Sequence, residues 1–580
     1  MTKHLAEIFK EASAGEIDRI SYLLLGELVP SYRGIEFNIA EKLMIQILAQ
    51  AYGKSAAEAM RLYKSKGDLG DVAYALADKN NSHAVKRHLS ASEVYQRMLA
   101  IAGESGAGSQ ERKVEGFARL LSSLDALSAK FVARIPVGKL RLGFSEVTLL
   151  DAFSFMEVGD KSARPMIEQA YNVTADIGAM AKRIKTRGLG GLKRLTPRPG
   201  VPIRPSLAER LKKIEEVFSK AGPVVGVEPK LDGFRIQIHI WSEAGKKRIA
   251  LFSRNLENTT LMFPEIVDAA RGLKVQSAIF DGEAIGYNPK TGRFAPFQET
   301  VQRKRKHAIE EFVKKIPLSV FVFDILYLNG KSLLLLPFRE RREILERILR
   351  ALGERGAMRL TVHKTTDDPG VISREFTKSI EAGLEGLVIK NLSQPYQAGS
   401  RGFHWIKLKS TTAALERLRG EKHLAGSGLP DTVDCLVMGA YKGRGKRAGF
   451  GVGGFLLGVA GPDSCYYTIT RMGSGLSDDQ FREARTRVDK LKVSGPPKEY
   501  VVAKDVTPDI WMKPKLVVEI LADEITLSPR HTAGLARRSL GEGGRGYSLR
   551  FPRFVRFRDD KNPEDTTTVE EIIKMYRQQK

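Results

Sequence analysis

The sequence has 580 residues, of which 42% are hydrophobic and 28% are charged, with a formal net charge of +26 and a pI near 9.8. This composition excludes a disordered chain and a membrane-embedded one, and the positive charge favours a polyanionic partner, with nucleic acid as the leading candidate. Two cysteines are too few for a disulfide framework or a tetrahedral zinc site, and the first residues lack the apolar core of a signal peptide, so we expect a cytoplasmic protein.

The first part of the chain is predicted to be helical. A chain of this length holds roughly three or four domains of ordinary size. Up to about residue 180, apolar residues recur at helical spacing, as at Val114, Phe117 and Leu121. Over 182–204, eight Lys or Arg residues, several Gly and Pro residues and no acid indicate a basic linker. We therefore predict an all-α domain over residues 1–205, with the linker at its end.

Short β-rich runs separated by helical segments follow residue 205. The sequence predicts a helix over 339–352 and strands over 235–241, 249–252, 278–280, 318–323 and 387–389. This alternation favours an α+β domain with antiparallel or mixed sheets, which we place at residues 206–412.

The last part of the chain is predicted to be a small β-barrel. Strand signals occur over 433–441, 455–459, 465–471 and 516–525, and their lengths fit such a barrel. We place this domain at residues 413–580.

One lysine stands between an apolar approach and a predicted strand. Residues 228–235 read Glu-Pro-Lys-Leu-Asp-Gly-Phe-Arg, so Lys230 directly precedes a turn. Asp232 and Gly233 suit that turn, which would hold the lysine at a strand edge and direct Arg235 into the same cleft. Lys230 is therefore a candidate nucleophile, with a solvated lysine in an ordinary turn as the alternative.

Acidic side chains follow in the next segments. Arg254 is expected to approach the ribose or phosphate of a nucleotide, oriented by Glu257. Asp281 and Glu283 lie two residues apart on a predicted strand and so face one side. Because two carboxylates are costly to bury without a cation, Glu283 is a candidate Mg²⁺ ligand, and a salt-bridge network is the alternative.

Three later segments complete the pattern. Phe323 ends an apolar run, where it would either stack on a purine or belong to the core. Glu385 and Lys390 enclose a short apolar run, as an acid for a metal and a lysine for a phosphate. Lys407 and Lys409 alternate with apolar residues and point to one face, where they repel each other unless an anion such as a triphosphate lies between them.

Motifs of this kind, in this order and spacing, resemble those of ATP-dependent DNA ligases of the archaeal and eukaryotic replicative type, within the covalent nucleotidyltransferase superfamily. The likeness covers nearly the whole chain, since 137–144 and 148–152 resemble that family's DNA-binding domain and 443–447, 471–475 and 550–561 its C-terminal domain. The resemblance implies a multidomain protein: an all-α N-terminal DNA-binding domain, an α+β nucleotidyltransferase (adenylation) domain with antiparallel or mixed sheets, and a C-terminal OB-fold β-barrel.

The resemblance also assigns residues to roles. Lys230 matches the lysine that becomes adenylylated, and the matched nucleotide-contacting positions around it are Glu228, Arg235, Arg254, Glu283, Phe323, Arg401, Lys407 and Lys409. The implied metal ligands are Glu283 and Glu385. The family's last motif, which helps pyrophosphate leave, is matched by Arg556, Arg558, Asp560 and Lys561. The sequence departs from the family pattern at Pro229, Asn255 and the enlarged loop 541–546.

The implied reaction joins DNA in three steps at one site. Neutral Lys230 attacks the α-phosphorus of ATP, AMP passes to a 5′-phosphate at a break, and the 3′-hydroxyl seals the strand, with Mg²⁺ or Mn²⁺ as the divalent metal. The expected partner is nicked double-stranded DNA, bound mainly through its phosphates by a monomer that serves replication, repair and recombination at the nucleoid, or in the nucleus of a eukaryote. A sliding clamp is a further candidate partner, although no clamp-binding peptide is recognisable.

Other interpretations stay open from the sequence alone. The basic charge also suits a non-catalytic scaffold that binds duplexes, and an RNA ligase or capping-type guanylyltransferase would share the lysine motif and use ATP, ADP or GTP differently. Gly541, Gly543 and Gly546 formally match a dinucleotide fingerprint, but no predicted strand precedes them and no helix pattern follows, so we interpret them as a loop. His239, on an alternating strand, is interpreted as structural.

Overall fold

The structure is a computed structural model that describes the chain except for residues 81–88, 139, 141, 144, 194, 212–213, 289–290, 292, 296, 305–308, 351–355, 410–431, 536–543 and 579–580. The chain divides into two compact units. One comprises Met1–Gly53 with Leu76–Ser410, and the other comprises Lys54–Ala75 with Thr411–Lys580.

The N-terminal region is helical, as predicted. Its α-helices, α1 to α11, are Thr2–Glu11, Ile17–Leu25, Glu41–Ala51, Ala56–Lys66, Leu69–Asn80, Ala91–Gly103, Ser109–Ser122, Ala126–Arg134, Glu146–Val158, Arg164–Thr174 and Ile177–Arg187. Polar caps fix several of their starts, because the first N–H groups of a helix lack partners within it. Ser90 and Glu93 form a reciprocal capping box, and the Asp125 carboxylate accepts a hydrogen bond from the Ser128 N–H at 2.9 Å.

The basic linker begins later than the sequence suggested. Residues 182–187, which we assigned to it, form the end of helix α11. Met180, Ala181 and Ile184 of this helix are buried, so an apolar face continues through the basic run and keeps it helical. Gly188, with a φ of 58°, ends the helix.

The central region contains two sheets. Its strands, β1 to β12, are Leu207–Leu211, Val225–Lys230, Phe234–Glu243, Lys246–Ser253, Ala278–Asn288, Arg293–Phe294, Leu318–Leu328, Lys331–Ser332, Met358–Leu360, Lys364–Thr366, Gly386–Asn391 and Arg401–Lys409. Its helices, α12 to α17, are Val217–Ala221, Pro264–Arg271, Phe297–Thr300, Ile309–Lys315, Phe338–Arg350 and Pro369–Glu381.

One sheet has the strand order β1-β12-β11-β2-β10 and the other has β4-β3-β5-β7-β8, with β6 beside β5 and β9 beside β7. The pairs β1 with β12 and β7 with β9 are parallel and the other pairs are antiparallel, which confirms the predicted mixed sheets. Strands β5 and β7 are longer than the predicted 278–280 and 318–323. Each continues through a buried aspartate, because Arg235 pairs with Asp281 and Arg341 pairs with Asp324.

The turn after Lys230 carries the chain from one sheet to the other. Lys230 ends β2 opposite Gly386 of β11, and Arg235 lies near the start of β3 opposite Glu283 of β5. A Cβ atom on Gly233, between them, would stand 2.2 Å from the carbonyl oxygen of Ala284. Glycine therefore lets the two sheets approach closely beside the lysine.

The C-terminal region is rich in strands. Strands β13 to β22 are Val433–Tyr441, Gly454–Ala460, Tyr466–Met472, Lys492–Val493, Tyr500–Val501, Ile510–Met512, Val517–Leu521, Glu524–Ser528, Gly546–Arg550 and Arg553–Phe557, and helices α18 and α19 are Asp478–Leu491 and Val569–Gln578. The larger sheet has the order β16-β18-β13-β14-β15-β17, with β19 paired to β13 and β22. Its buried core includes Val433, Cys435, Val437, Phe455 and Leu457.

The single strand predicted over 516–525 is wrong. The chain forms β19 and β20 instead, since β19 pairs with β13 and β22 whereas β20 pairs with β21. The Asp523 N–H between them donates to the Arg550 carbonyl at 3.0 Å. Of the proposed loop 541–546, residues 541–543 lie outside the described residues, and Gly546 begins a strand rather than a helix.

His239 is structural, as predicted. Its ring is buried, and its Nδ1 accepts a hydrogen bond from the Gly200 N–H at 3.1 Å. Burial lowers the pKa of His239 to about 3, so the ring is neutral near pH 7. Among the described residues, every helix is too short or too polar to cross a membrane.

Candidate active site

A cleft of about 370 Å³ in the central region brings together the predicted residues around Lys230. Strands from both central sheets line it, which explains why residues far apart in the sequence meet there. The predicted residues on its wall are Glu228, Lys230, Arg235, Arg254, Glu283, Phe323, Glu385, Arg401, Lys407 and Lys409.

The Lys230 amine lies in the cleft next to a carboxylate. Its Nζ forms an ion pair with Glu385, whose carboxylate also lies 2.8 Å from the Nζ of Lys409. The Lys230 side chain is 21% exposed, so it is reachable from the cleft. Glu385, predicted as a metal ligand, therefore holds two lysines in this structure.

Three carboxyl groups of the cleft have perturbed pKa values. Burial raises the pKa of Glu283 to about 7, against the opposing effect of Lys230 and Arg235. Burial and the neighbouring Glu385 raise the pKa of Asp232 to about 6. Burial also acts to raise the pKa of Glu385, but the ammonium groups of Lys230 and Lys409 outweigh it and lower that pKa to about 2.

Asp281 and Glu283 have different surroundings although they lie two residues apart. Asp281 is fully buried and accepts two hydrogen bonds from Arg235, at 3.0 Å from Nε and 2.6 Å from Nη2. Glu283 lines the cleft. The salt-bridge network that we considered for both acids is present at Asp281, so Glu283 is the one of the two that lines the cleft.

One part of the cleft wall belongs to a buried polar network around Glu228. The Glu228 carboxylate lies 2.8 Å from Lys390 Nζ, 3.4 Å from Arg342 Nη1 and 3.3 Å from His363 Nδ1. Burial acts to raise the pKa of Glu228, but the Lys390 charge, the His363 hydrogen bond and the Arg342 charge lower it overall. Glu228 is therefore a charged acceptor held rigidly at the cleft wall.

Lys390 does not fit the phosphate contact that we expected. Its side chain is 1% exposed, and its Nζ donates to the Phe323 carbonyl at 3.0 Å besides its ion pair with Glu228. The Nζ also lies 4.7 Å from the ring centroids of Phe323 and Trp405. Its ammonium is therefore committed to the interior, where it fixes Glu228 and the aromatic wall.

Phe323 forms this aromatic wall with Trp405. Their ring centroids are 5.7 Å apart at an interplanar angle of 84°, and the Arg235 guanidinium lies 5.5 and 5.3 Å from the two centroids. Phe323 is partly buried and lines the cleft, so part of its side chain is accessible to a ligand.

The cleft also holds several cations, most of them without an acidic partner among the described residues. Lys407 and Lys409 face the cleft together, as their alternation predicted. Among the residues that the structure describes, Arg254, Arg401 and Lys407 have no carboxylate within ion-pair distance. Burial lowers the pKa of Lys407, and the charges of Arg401 and Lys409 lower it further. These cations form an electrostatic site for an anion.

The orientation of Arg254 by Glu257 is corrected by the structure. The Glu257 carboxylate accepts hydrogen bonds from Lys304 Nζ at 3.2 Å and from the Ser253 hydroxyl at 3.4 Å. Sequence proximity suggested that Glu257 pairs with Arg254. The fold instead brings Lys304, 47 positions further along the chain, to Glu257.

The four residues of the C-terminal motif belong to the other unit, and their charges are paired there. Arg556 donates to Glu519 at 2.6 Å. Arg558 donates to Asp434 and Asp560, and the Lys561 Nζ lies 2.7 Å from Asp434.

The sequence analysis missed several contributors. Trp405 stood inside a quoted motif without a role, and Asp232 was interpreted only as a turn former. Arg342 and His363, which hold Glu228, are recognisable only from the fold, because they come from helix α16 and the segment before β10. Among the described residues, no group of three or more His, Cys, Asp or Glu side chains is arranged to hold a metal by itself.

Comparison with known proteins gives consistent matches. The family description "ATP dependent DNA ligase domain" matches residues 205–409, "DNA ligase N terminus" matches 1–154, and "ATP dependent DNA ligase C terminal region" matches 448–561. A probable DNA ligase of Dictyoglomus turgidum is 43% identical over 583 residues, covering 100% of this chain and 94% of its own. A DNA ligase of Staphylothermus marinus is 39% identical, covering 100% of this chain and 96% of its own.

Solved structures are more distant. A mycobacterial DNA ligase D complexed with ATP and MES is 23% identical, with a TM-score of 0.30, covering 63% of this chain and 97% of its own.

Proposed function

The chain belongs to the ATP-dependent DNA ligase family, and we propose that the cleft around Lys230 is where it transfers AMP from ATP to DNA. The observation that carries this assignment is one lysine amine in a cleft that also holds carboxylates and, among the described residues, three cations without an ion-pair partner. Family membership also argues against the non-catalytic scaffold. A scaffold would have no use for a lysine, carboxylates and unpaired cations in one cleft.

In the first step, the Lys230 amine leaves Glu385 and attacks the α-phosphorus of ATP in line. A P–N bond forms, the bond from the α-phosphorus to the bridging oxygen breaks, and pyrophosphate leaves with the electron pair. The ammonium proton is released before attack, and Asp232 is the nearby carboxyl group whose raised pKa of about 6 suits it to receive that proton.

The cations of the cleft bind the phosphates in this scheme. Lys407 and Lys409 stabilise the charge that develops on the α-phosphate, and Arg254 and Arg401 bind the ribose or the outer phosphates. Lys409 stays near Glu385 when Lys230 moves, so that carboxylate keeps one partner throughout.

The carboxylates of the cleft suit a hard divalent cation. Mg²⁺ is usually held by one or two carboxylates together with substrate phosphates, and Glu283 and Glu385 are oxygen donors that line the cleft. Burial raises the pKa of Glu283 to about 7, and a bound divalent cation would favour its charged form. Mg²⁺ or Mn²⁺ would neutralise charge on the phosphates and stabilise the departing pyrophosphate.

The base lies, in this proposal, between Glu228 and Phe323. Phe323 offers an aromatic ring on the cleft wall, and Glu228 offers a fixed charged acceptor for an exocyclic amino group. Such an acceptor favours adenine over guanine, whose corresponding position is a carbonyl oxygen that also accepts.

The remaining steps involve the other regions. We assign residues 1–205 to DNA binding, 206–412 to adenylylation and 413–580 to an OB-fold barrel whose residues Arg556, Arg558, Asp560 and Lys561 assist pyrophosphate departure. AMP then passes from Lys230 to the 5′-phosphate of nicked double-stranded DNA, and the 3′-hydroxyl displaces AMP. We further propose that the protein acts as a monomer in the cytoplasm or at the nucleoid, with a sliding clamp as an additional partner.

Incubation with α-labelled ATP and Mg²⁺ tests the first step. The wild type should acquire an acid-labile label, and Lys230→Ala should acquire none. Lys364 lies in the same sheet as Lys230 and forms an ion pair with Glu375 of helix α17. Lys364→Ala should therefore label normally. Label on Lys230→Ala would refute the assignment.

A joining assay then tests the substrate. Nicked DNA with ATP should be sealed, while nicked RNA should not, and GTP should give no labelled protein. Sealing of nicked RNA in preference to nicked DNA would favour an RNA ligase instead.

A further inference from the structure

Tyr396 lies outside the predicted site residues but contacts three segments that form the cleft. It stands between strands β11 and β12 and is 6% exposed. Its hydroxyl donates to the Asp281 carboxylate at 2.8 Å and accepts from the Ser206 N–H at 3.0 Å and from Arg235 Nη2 at 3.2 Å.

These three contacts saturate the hydroxyl. A tyrosine hydroxyl has one proton to donate and two lone pairs to accept, and each is used. Burial and the neighbouring Asp281 charge raise the pKa of Tyr396 well above its usual value, so the proton stays on the oxygen. The direction of all three hydrogen bonds is therefore fixed.

The same contacts leave Arg235 with one N–H for a ligand. Its Nε and one Nη2 hydrogen are bound to Asp281, the other Nη2 hydrogen to Tyr396, and one Nη1 hydrogen to the Ser206 carbonyl. A guanidinium carries five N–H groups, so one Nη1 hydrogen remains. Arg235 lines the cleft, between the rings of Phe323 and Trp405.

Tyr396 also fixes the start of strand β1. The Ser206 N–H binds its hydroxyl, and the next two residues, Leu207 and Ala208, line the cleft. A single hydroxyl thus connects β1, the arginine on β3 and the buried acid on β5.

We propose that Tyr396 is a positioning residue for the nucleotide: it aims the remaining N–H of Arg235 into the cleft and holds the β1 wall in place. This inference rests on the proposed function of the cleft. Tyr396 acts through Arg235 and does not touch the reacting atoms.

Tyr396→Phe removes the hydroxyl and keeps the ring, which packs edge-on against Trp405 with the centroids 5.8 Å apart. In self-adenylylation with α-labelled ATP, the apparent KM for ATP should rise about tenfold, which corresponds to losing one hydrogen bond to a charged group. The maximal rate should stay within about twofold, since the contact is made equally before and during reaction.

Matched variants separate positioning from a general loss of stability. Tyr500→Phe removes another buried hydroxyl, which donates to the Met512 carbonyl in the C-terminal unit, and it should leave the KM unchanged. Unfolding temperatures of both variants are recorded. Should Tyr396→Phe fold poorly, Asp281→Asn loosens the same arginine from its other side and should raise the KM in the same direction.

A double-variant cycle tests whether the effect passes through Arg235. In an Arg235→Lys background, adding Tyr396→Phe should change the KM by less than about twofold. An unchanged KM in Tyr396→Phe, or full additivity with Arg235→Lys, would overturn the inference. Absence of label on the wild type would instead overturn the proposed function.

Discussion

The cleft around Lys230 and the basic motif of residues 556–561 hold cations in opposite states. In the cleft, Arg254, Arg401 and Lys407 have no carboxylate partner among the described residues. In the C-terminal motif, each of the three cations is bound to an acid. Similar residue types therefore serve different purposes.

The register of the C-terminal sheet explains its pairing. Asp434 of β13 lies directly opposite Glu519 of β19, and like charges at such positions repel. Arg558 Nη1 lies 3.1 Å from Asp434 and 3.8 Å from Glu519, so it bridges the two acids. This motif stabilises its own sheet, and it would have to exchange carboxylates for phosphates in order to act on a nucleotide.

The cleft shows the converse arrangement. Burial lowers the pKa of Lys407, and the nearby charges of Arg401 and Lys409 lower it further. A bound anion would offset both effects, and a perturbed charge of this kind in a cleft is typical of a binding site.

The largest effect should come from removing a cation from the cleft. Lys407→Ala should slow self-adenylylation by about a hundredfold or more, because a charge that stabilises the transition state contributes about 3 kcal/mol. Single-turnover labelling measures this, with Lys364→Ala as the control. A normal rate would mean that the unpaired cations do not act on the phosphate.

The two regions should differ next in how pH affects their stability. Glu283 has a pKa raised from 4.5 to about 7, so the folded state keeps a proton that the unfolded state releases. The free energy of unfolding should therefore fall between pH 4.5 and 7, by up to roughly 3 kcal/mol, and Glu283→Gln should remove this loss. Urea unfolding at pH 5 and pH 7.5 measures it, with Glu243→Gln at an exposed ion pair as the control.

Asp560 should show the opposite sign. The Arg558 hydrogen bond lowers the pKa of Asp560 from 3.8 to about 2, so its contribution to stability is present above pH 3.8 and is lost as pH falls towards 2. If the contributions of Glu283 and Asp560 to stability changed with pH in the same direction, the difference between the two regions would be refuted.

Neutral substitutions should then change thermal stability in opposite directions. Without nucleotide, Lys407→Gln should raise the unfolding temperature slightly, because it relieves repulsion. Arg558→Gln should lower it by a few degrees, because Asp434 and Glu519 are left facing each other. Differential scanning calorimetry measures both, and Arg553→Gln at an exposed pair with Asp523 should change little.

The smallest expected effect is stabilisation by a simple anion. Inorganic triphosphate at millimolar concentration should raise the unfolding temperature of the wild type by a degree or two, and Lys407→Gln should lose that shift. Arg558→Gln should keep it. A shift that disappears with Arg558→Gln instead would assign the anion site to the C-terminal motif.

The sequence predicted the content of the cleft better than its internal contacts. Residues such as Lys230 and Lys407 belong to local patterns in which spacing alone determines the side that they face. Partners such as Lys304 for Glu257 and Tyr396 for Arg235 depend on loops and sheet register that bring distant segments together. The same limit applies to the strand predicted over 516–525, where tertiary pairing, not propensity, divides the run.

The close approach at Gly233 limits how this protein can be redesigned. A methyl group there would meet the carbonyl oxygen of Ala284 at 2.2 Å, so a randomised library covering the loop after Lys230 should return glycine at that position. Engineers who wish to alter nucleotide choice would therefore gain more by varying residues around Phe323 than by changing the loop after Lys230.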